Sequence, residues 1–429
     1  MDGFRQRMTL KPPTLPPRVT VLYHYFYPDD VVSARHFSDL CEGLQQRGWE
    51  VVAKPCHRGC RDEAATYPRV ETWKGIFIRR VWRPAFIQAT GRGRLLNAVW
   101  MIAFWTLSCR RVSRTRREAM IVGTDPILSV MVARFWKFFK PSCRIAHWCF
   151  DLYPEAAVAE GMFRPESRFI RFLKRRLKKA YASCDLIVDL GPCMAELLAK
   201  YRSPAGTETL VPWALVEPAE PVEPDPPTRR ELFGETSLGL LYSGSFGRAH
   251  SCEEFVDLAR VLRGDSGIQF NFAARGNRFE ELKASVPPED SNIRFAGFAP
   301  ESELEKRLGA CDIHMVSLRP EWTGTVVPSK FFGALATGRV VLFSGSPKSA
   351  IARWIEEYRV GWVLTPDNLP AVADALRKLA ADPTELRAMH ARCHAVYQRH
   401  FRKSLILDRW DASLKQMVGS GSRRPTSGK

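Results

Sequence analysis

The segment GSFGRAH, at positions 244–250, carries the residues best suited to binding an anion. It follows the apolar run LGLLYS and precedes a run with helical spacing. Two glycines at such a junction allow backbone N–H groups to approach a diphosphate at a helix N-terminus. Arg248 and His250 would add positive charge or hydrogen bonds. The alternative is an ordinary strand–helix turn, because two glycines alone are weak evidence.

A second cationic position is Lys330, in the segment Pro328-Ser329-Lys330. The sequence predicts that a helix starts here, with Ser329 as its cap and Lys330 in its first turn. A cation at this end opposes the helix dipole unless an anion lies nearby. This mismatch favours Lys330 as a phosphate ligand over the alternative of a solvated lysine.

The chain has two halves, and in each half short apolar strands alternate with segments of helical spacing. Such alternation predicts parallel sheets, and therefore an α/β chain with two doubly wound, Rossmann-like domains facing a central cleft. Ligands bind such sheets beyond the carboxyl ends of the strands. The glycine loop and Lys330 should therefore face the cleft.

Composition places the boundaries. The segment PWALVEPAEPVEPDPPTRR is rich in proline and acid, which predicts a linker without regular structure. A final helical region is predicted to start at Pro383, with Asp382 as its cap and Glu385 at the capping-box position. The predicted units are a flexible start (1–18), a first domain (19–215), the linker (216–235), a second domain (236–382), a C-terminal helical region that can pack back on the first domain (383–417), and a flexible tail (418–429).

Five segments make the chain resemble a known family. They are YFYPDDVVSARHFSDLCEGLQQRGWEV near the start, FDLYPE at 150–155, YSGSFGRAH at 242–250, ELEKRLGACDIHMVSL at 303–318 and VPSKFFGALATGR at 327–339. In type and order they resemble the retaining GT-B-fold glycosyltransferases of bacterial polysaccharide and glycolipid synthesis, a family 4-like group. The resemblance implies a nucleotide-sugar donor site mostly in the second domain, an acceptor site mostly in the first, and transfer with retention of configuration.

The resemblance also assigns site residues. The donor side comprises Gly244, Ser245, Phe246, Gly247, Arg248, His250, Arg275, Gly276, Glu321, Trp322, Thr323, Gly324, Thr325, Val327, Pro328, Ser329 and Lys330. Thr325 and Gly333 stand where many relatives carry glutamates, so the resemblance does not transfer a particular sugar or base.

On the first-domain side, Asp151 and Glu155 are the predicted catalytic acids, and His147 competes with them. A carboxylate facing the cleft would stabilise oxocarbenium character or orient the acceptor hydroxyl. For Asp151 the alternative is a cap on the following helix. The predicted acceptor-side residues are Asp29, Asp30, Arg35 and His36.

We expect no metal and no cofactor, because the nucleotide-sugar is itself a substrate. No D-x-D motif follows an apolar strand, and Cys56 and Cys60 have no partner pair at zinc spacing. The segment GALATGR (333–339) only approximates a P-loop, since Arg339 replaces the lysine and no Ser or Thr follows.

Charge is divided unevenly. Residues 1–215 carry 35 Lys/Arg against 19 Asp/Glu, a net +16 of the total +18. We expect this half to meet an anionic membrane surface rather than nucleic acid, because no nucleic-acid-binding module is recognisable. The apolar run 95–109 is short for a membrane span, so a buried helix is favoured over a membrane-inserted one. A polar, Pro-rich start without a signal peptide predicts a cytoplasmic protein, and the basic first half is compatible with a peripheral position on the inner face of the membrane.

Two other functions stay open at this point. A GT-B-fold nucleotide-sugar epimerase or hydrolase would show no acceptor-dependent turnover. A non-catalytic nucleotide-sugar-binding protein would bind ligand, yet survive the loss of Asp151 and Lys330 without functional change.

Overall fold

The computed structural model describes residues 16–88, 90–108, 118–298 and 301–419. Most of the predicted flexible start and tail therefore lies outside the described residues. Within them the chain forms two α/β domains, each built on a mainly parallel sheet. The predicted fold class, two doubly wound domains, is confirmed.

The first sheet has eight strands in the order β3-β4-β2-β1-β5-β6-β7-β8. The strands are β1 (Arg18–Leu22), β2 (Glu50–Ala53), β3 (Val70–Trp73), β4 (Ile76–Arg79), β5 (Glu118–Val122), β6 (Arg144–Trp148), β7 (Leu186–Asp189) and β8 (Gly206–Thr209). Only β3 runs antiparallel, against β4. The central β5 is buried at all five positions, as expected for a parallel strand covered on both faces.

Helices cover both faces of this sheet. They are α1 (Val32–Gln46), α2 (Gly91–Ser108), α3 (Met131–Phe139), α4 (Glu155–Ala159), α5 (Arg168–Tyr181) and α6 (Pro192–Ala199). The apolar run that starts at 95 lies in α2, whose buried stripe includes Asn97, Met101 and Trp105. Its opposite side is exposed, so the predicted buried helix is only half buried. No helix among the described residues is long and apolar enough to cross a bilayer.

The second sheet has six parallel strands in the order β11-β10-β9-β12-β13-β14. They are β9 (Leu238–Ser245), β10 (Ile268–Arg275), β11 (Ile293–Ala296), β12 (Ile313–Leu318), β13 (Val340–Gly345) and β14 (Gly361–Leu364). The associated helices are α7 (Pro226–Phe233), α8 (Glu253–Val261), α9 (Asn277–Ser285), α10 (Leu304–Gly309), α11 (Lys330–Ala336), α12 (Ala350–Tyr358) and α13 (Leu369–Ala381).

The linker prediction was wrong for residues 226–233, which form α7. Asp225 caps this helix by accepting the N–H of Thr228, and prolines occupy its first positions, where a missing N–H costs nothing. Phe233 is fully buried, and the side chain of Asn271 on β10 donates to the carbonyl of Leu232 at 2.7 Å. The acidic, Pro-rich composition thus starts a helix that belongs to the second domain.

Two C-terminal helices, α14 (Pro383–His400) and α15 (Lys403–Gly419), complete the chain. Asp382 caps α14 through the N–H groups of Thr384 and Glu385, which confirms the predicted cap. While α14 packs on α11, α15 crosses to the first domain and packs on α1, β5 and β6. There the indole of Trp49 donates to Asp411 at 2.8 Å.

Candidate active site in the cleft between the domains

The glycine loop at the end of β9 is held in a conformation that requires glycine. Gly244 has φ +121, and a Cβ at this position would lie 2.9 Å from Cε of Lys330. Phe246 donates its N–H to the carbonyl of Arg275 at 2.9 Å, and Gly276 has φ +128 beside it. The loops after β9 and β10 therefore form one surface, and the absence of a side chain at 244 allows Lys330 to lie against it.

Lys330 lies over this surface as a cation with no ion-pair partner among the described carboxylates. Its Nζ donates to the carbonyl of Ser245 at 3.1 Å and lies 5.2 Å from the ring centroid of Tyr242. Loss of solvation lowers the pKa of Lys330 to about 8. Ser329 occupies the N-cap position of α11, as predicted, but its side chain makes no capping hydrogen bond. An anion placed beside such a partly desolvated cation would favour its charged form.

His250 lies beside Lys330 in the neutral form. Its Nδ1 donates to the carbonyl of Ser317 at 2.7 Å, which fixes the tautomer. Burial, followed by the charge of Lys330, lowers the pKa of His250 to about 3. The Nε2 atom of the neutral ring is therefore a hydrogen-bond acceptor, and of the two roles predicted for His250 the charged one is excluded.

Both arginines predicted on the donor side contact groups of the protein. Arg248 is 75% exposed and forms an ion pair with Glu160 of the first domain, across the cleft. Arg275 lies over the ring of Phe298, with 4.0 Å between its guanidinium carbon and the ring centroid. Arg248 therefore links the two domains, and Arg275 lies at the edge of the glycine surface.

The loop 319–327 contacts both domains. Arg319 donates its N–H to the carbonyl of Ala249 at 2.8 Å, and the carbonyl of Thr325 accepts the N–H of Leu152 from the first domain, also at 2.8 Å. Gly324 has φ +82, and a Cβ there would lie 2.6 Å from the carbonyl oxygen of Cys193. Glu321 is exposed, Trp322 and Thr323 are half-buried, and Thr325, Val327 and Pro328 are buried.

Asp151 follows β6 and faces the cleft. Asp151 is exposed at the surface of the cleft, but many protein atoms surround its carboxylate. The resulting loss of solvation, followed by the charge of Asp125, raises the pKa of Asp151 to about 6. Its backbone N–H donates to Oγ1 of Thr124 at 3.3 Å. The following helix, α4, begins after Pro154 without a side-chain cap, so Asp151 is not the helix cap that was the alternative.

Glu155 and His147 are held by the protein. The carboxylate of Glu155 accepts the hydroxyl of Tyr201 at 2.9 Å and pairs with Lys174 at 3.2 Å. His147 is buried and donates from Nδ1 to the carbonyl of Val122 at 2.8 Å. Burial lowers the pKa of His147 to about 4. The side chains of both residues are therefore bonded within the first domain and do not offer a free polar group to the cleft.

The predicted acceptor-side residues lie around the end of β1. Asp29 accepts the N–H of Cys60 at 2.9 Å and the hydroxyl of Tyr67 at 3.2 Å, and Asp30 pairs with Arg61 at 2.8 Å. His36 is buried, with each ring nitrogen 2.8 Å from a backbone carbonyl, those of Val32 and Trp213. Arg35 is half-buried on α1. Asp29 and His36 act mainly in tethering loops.

Sequence reasoning missed a charged pair at the same edge of the sheet. His24, after β1, lies 3.1 Å through Nδ1 from the carboxylate of Asp125, after β5. Burial alone would lower the pKa of His24, but the charge of Asp125 together with Cys56 outweighs it and raises the pKa to about 9. The signal was available, because Asp125 stands just beyond the carboxyl end of a buried strand, as Asp151 does.

Known proteins resemble this chain in sequence and in fold. Residues 238–382 match the family described as glycosyl transferases group 1. The chain is 24% identical over 318 residues to the probable glycosyltransferase WbjE of Pseudomonas aeruginosa, covering 72% of this chain and 78% of that protein.

Two solved structures are similar along almost the whole chain. Sucrose-phosphate synthase from Thermosynechococcus elongatus superposes with a TM-score of 0.70 at 16% identity, covering 94% of this chain and 99% of that one. HepE from Anabaena, in complex with UDP-glucose, gives a TM-score of 0.61 at 11% identity, covering 94% and 99%. These likenesses establish the GT-B fold.

Proposed function

We propose that this chain, a glycosyltransferase of group 1 with the GT-B fold, transfers a sugar from a nucleoside-diphosphate sugar to a glycan or lipid-linked acceptor, with retention of configuration. The observation that carries the proposal is the position of Lys330. It is a desolvated cation over the glycine surface, with its pKa lowered to about 8 and no carboxylate partner among the described residues. HepE, of the same fold, was solved with UDP-glucose, which supports a nucleotide-sugar donor here.

In the donor site, Lys330 and the backbone of 244–247 bind the diphosphate. Gly247 has open space at its Cβ position, which leaves room for a phosphate group near the loop. The neutral Nε2 of His250 accepts a hydrogen bond from a donor hydroxyl. As the bond between sugar and phosphate breaks, negative charge grows on the leaving diphosphate, and Lys330 stabilises it. We propose that this cation takes the role of a metal ion.

In the acceptor site, Asp151 is the carboxylate to which we assign a catalytic role. Above its pKa of about 6 it is ionised, and its negative charge stabilises positive charge on the sugar ring or orients the acceptor hydroxyl. The His24–Asp125 pair borders it and supplies a buried positive group near the acceptor. Because the two sites belong to different domains, reaction requires the cleft to be closed.

A thermal-shift screen tests the donor assignment. The purified chain is heated with a panel of nucleotides and nucleotide sugars, and the screen is repeated with Lys330→Ala and with Lys378→Ala, an exposed lysine on α13. A ligand at a hundredfold its Kd adds about 2.7 kcal/mol to stability. We expect one nucleoside-diphosphate class to stabilise the wild type and Lys378→Ala, but not Lys330→Ala.

Turnover then separates the candidate functions. With the stabilising donor, a transferase releases nucleotide faster when a glycan or lipid-linked acceptor is added. Acceptor-independent release would instead indicate the hydrolase or epimerase alternative. If no member of the panel stabilises the wild type, the donor site as proposed is wrong.

A further inference from the structure

Helix α2 is apolar on both of its sides. One side packs on the sheet through Asn97, Met101 and Trp105, while the opposite side exposes Leu96, Val99 and other apolar residues. A surface helix normally presents polar residues to water. An apolar outer side that extends from Leu95 to Leu107, about three and a half helical turns, therefore indicates that something other than water covers it.

The two neighbouring helices also expose apolar side chains. Helix α3 packs between α2 and α5. On α3, Phe138 is 79% exposed, and on α5, Phe169 and Phe172 are each more than half exposed. We call the outer sides of α2, α3 and α5 the three-helix face; its exposed apolar residues are Leu95, Leu96, Val99, Phe104, Leu107, Phe135, Phe138, Phe139, Phe169 and Phe172.

The charge on this face has a single sign. The three helices carry eleven Lys/Arg and no Asp or Glu. Lys137 and Lys174 are paired with carboxylates of the first domain, while Arg168, Arg171 and Arg175 are exposed on α5 beside the phenylalanines. Arg176 lies over the ring of Phe172, 4.9 Å from its centroid. Apolar side chains surrounded by cations match an anionic bilayer surface.

We propose that the three-helix face is a membrane-docking surface that inserts its phenylalanine and leucine side chains among the lipids of an anionic bilayer. No described helix is long and apolar enough to span the membrane, so the contact is interfacial. The cations attract acidic headgroups, and the apolar side chains supply the part of the binding that salt does not screen. This inference goes beyond the proposed donor chemistry and stands without it.

The face also borders the cleft. Met162 and Phe163 are exposed in the turn before α5, one residue beyond Glu160, which pairs with Arg248 of the second domain. A protein docked by this face holds the edge of its acceptor site against the lipid headgroups. A lipid-linked acceptor would then enter from the membrane side without leaving the bilayer.

Vesicle co-sedimentation of the full chain tests the proposal. Vesicles are pure phosphatidylcholine or contain about 30% phosphatidylglycerol, and binding is measured at low and high salt. The apolar variant is Phe138→Ser with Phe172→Ser, and its control is Val261→Ser, an exposed apolar residue on α8 of the second domain. The charge variant is Arg171→Glu with Arg175→Glu, and its control is Lys378→Glu with Arg387→Glu.

We expect the wild type to bind the anionic vesicles, and to retain some binding in high salt. The apolar variant should weaken binding about tenfold or more and abolish the salt-resistant part. The charge variant should weaken binding mainly at low salt, while both controls bind as the wild type does. Equal melting temperatures show that the variants are folded.

Three outcomes would overturn the proposal. The first is no binding of the wild type to anionic vesicles. The second is binding by the apolar variant equal to that of the wild type, which would leave only a charged surface. The third is a dimer, seen by light scattering without lipid, that the apolar variant dissociates, because the face would then be covered by a second copy of the chain.

Discussion

The two sides of the cleft differ in how their charged groups are partnered. On the donor side, Lys330 and His250 are held by backbone carbonyls, and Lys330 has no carboxylate partner among the described residues. On the acceptor side, Asp29, Asp30 and Glu155 all bond to groups of the first domain itself. The donor side therefore has an unbalanced charge available to a ligand, while most acceptor-side charges are already used.

This difference teaches which residues to assign to ligands. A charged residue near a cleft serves structure when its hydrogen bonds are complete, and is available to a ligand when desolvation perturbs it without a compensating partner. By this criterion Lys330 is the main group of the donor side and Asp151 that of the acceptor side. The predictions below test whether that contrast holds, from the largest expected effect to the smallest.

Asp151→Asn should cost the most activity among the acceptor-side changes. Removing the carboxylate should lower kcat about a hundredfold or more, since acid–base and charge stabilisation of this kind contribute that much. Nucleotide binding should be unchanged. Glu155→Gln, whose carboxylate is bonded within the domain, should lower stability more than it lowers kcat at equal folded fraction. Equal losses of kcat in both variants would break the distinction between the two acids.

The same Asp151→Asn variant has a stability signature. Because the folded-state pKa of Asp151 is raised to about 6 from an ordinary value of 3.8, its ionisation destabilises the fold as pH rises from about 4 to above 6. Asparagine removes that penalty. We expect a slightly higher Tm for the variant at pH 7.5, small because the side chain stays open to solvent, and no difference near pH 4. A lower Tm at pH 7.5 would contradict the raised pKa.

Gly324→Ala should disturb the contact between the two sides. The added Cβ would lie 2.6 Å from the carbonyl oxygen of Cys193 and is strained at φ +82. The clash lies between domains, so we expect turnover to fall about tenfold or more while nucleotide-dependent stabilisation is kept. Gly264→Ala, where a Cβ meets open space, is the control. Full turnover in Gly324→Ala would show that this closed arrangement is not needed.

The Arg248–Glu160 pair should give the smallest effect. It is an exposed pair across the cleft, and such pairs contribute about 0–1 kcal/mol. Arg248→Glu should lower kcat/KM about two- to fivefold, and the exchanged double variant, Arg248→Glu with Glu160→Arg, should recover most of the loss. If the exchange does not restore activity, Arg248 binds the donor directly and its pairing with Glu160 is incidental.

Periodicity predicted the fold well, because parallel sheets and their helices follow from alternating apolar runs. It failed at α7, where Asp225 and the following prolines start a helix that composition had assigned to a linker. The glycine loop and Lys330 could be proposed from the sequence, because the backbone freedom of glycine and the position of a lysine in the first turn of a helix depend only on neighbouring residues. The His24–Asp125 pair was missed because its two residues are 101 positions apart and meet only through the order of β1 and β5 in the sheet.

The pH dependence of donor affinity tests the central claim most directly. The nucleotide diphosphate found by the thermal-shift screen is titrated calorimetrically from pH 7 to pH 9.5 into the wild type and into Lys330→Arg. Since the pKa of Lys330 is lowered to about 8, its charge is present below that pH and lost above it. Arginine stays charged throughout, and it also corrects for any ionisation of the ligand. We predict that wild-type affinity falls above pH 8, approaching about tenfold per pH unit, while the arginine variant stays nearly flat. Parallel curves for the two proteins would contradict the assignment of Lys330 as the cation that binds the diphosphate.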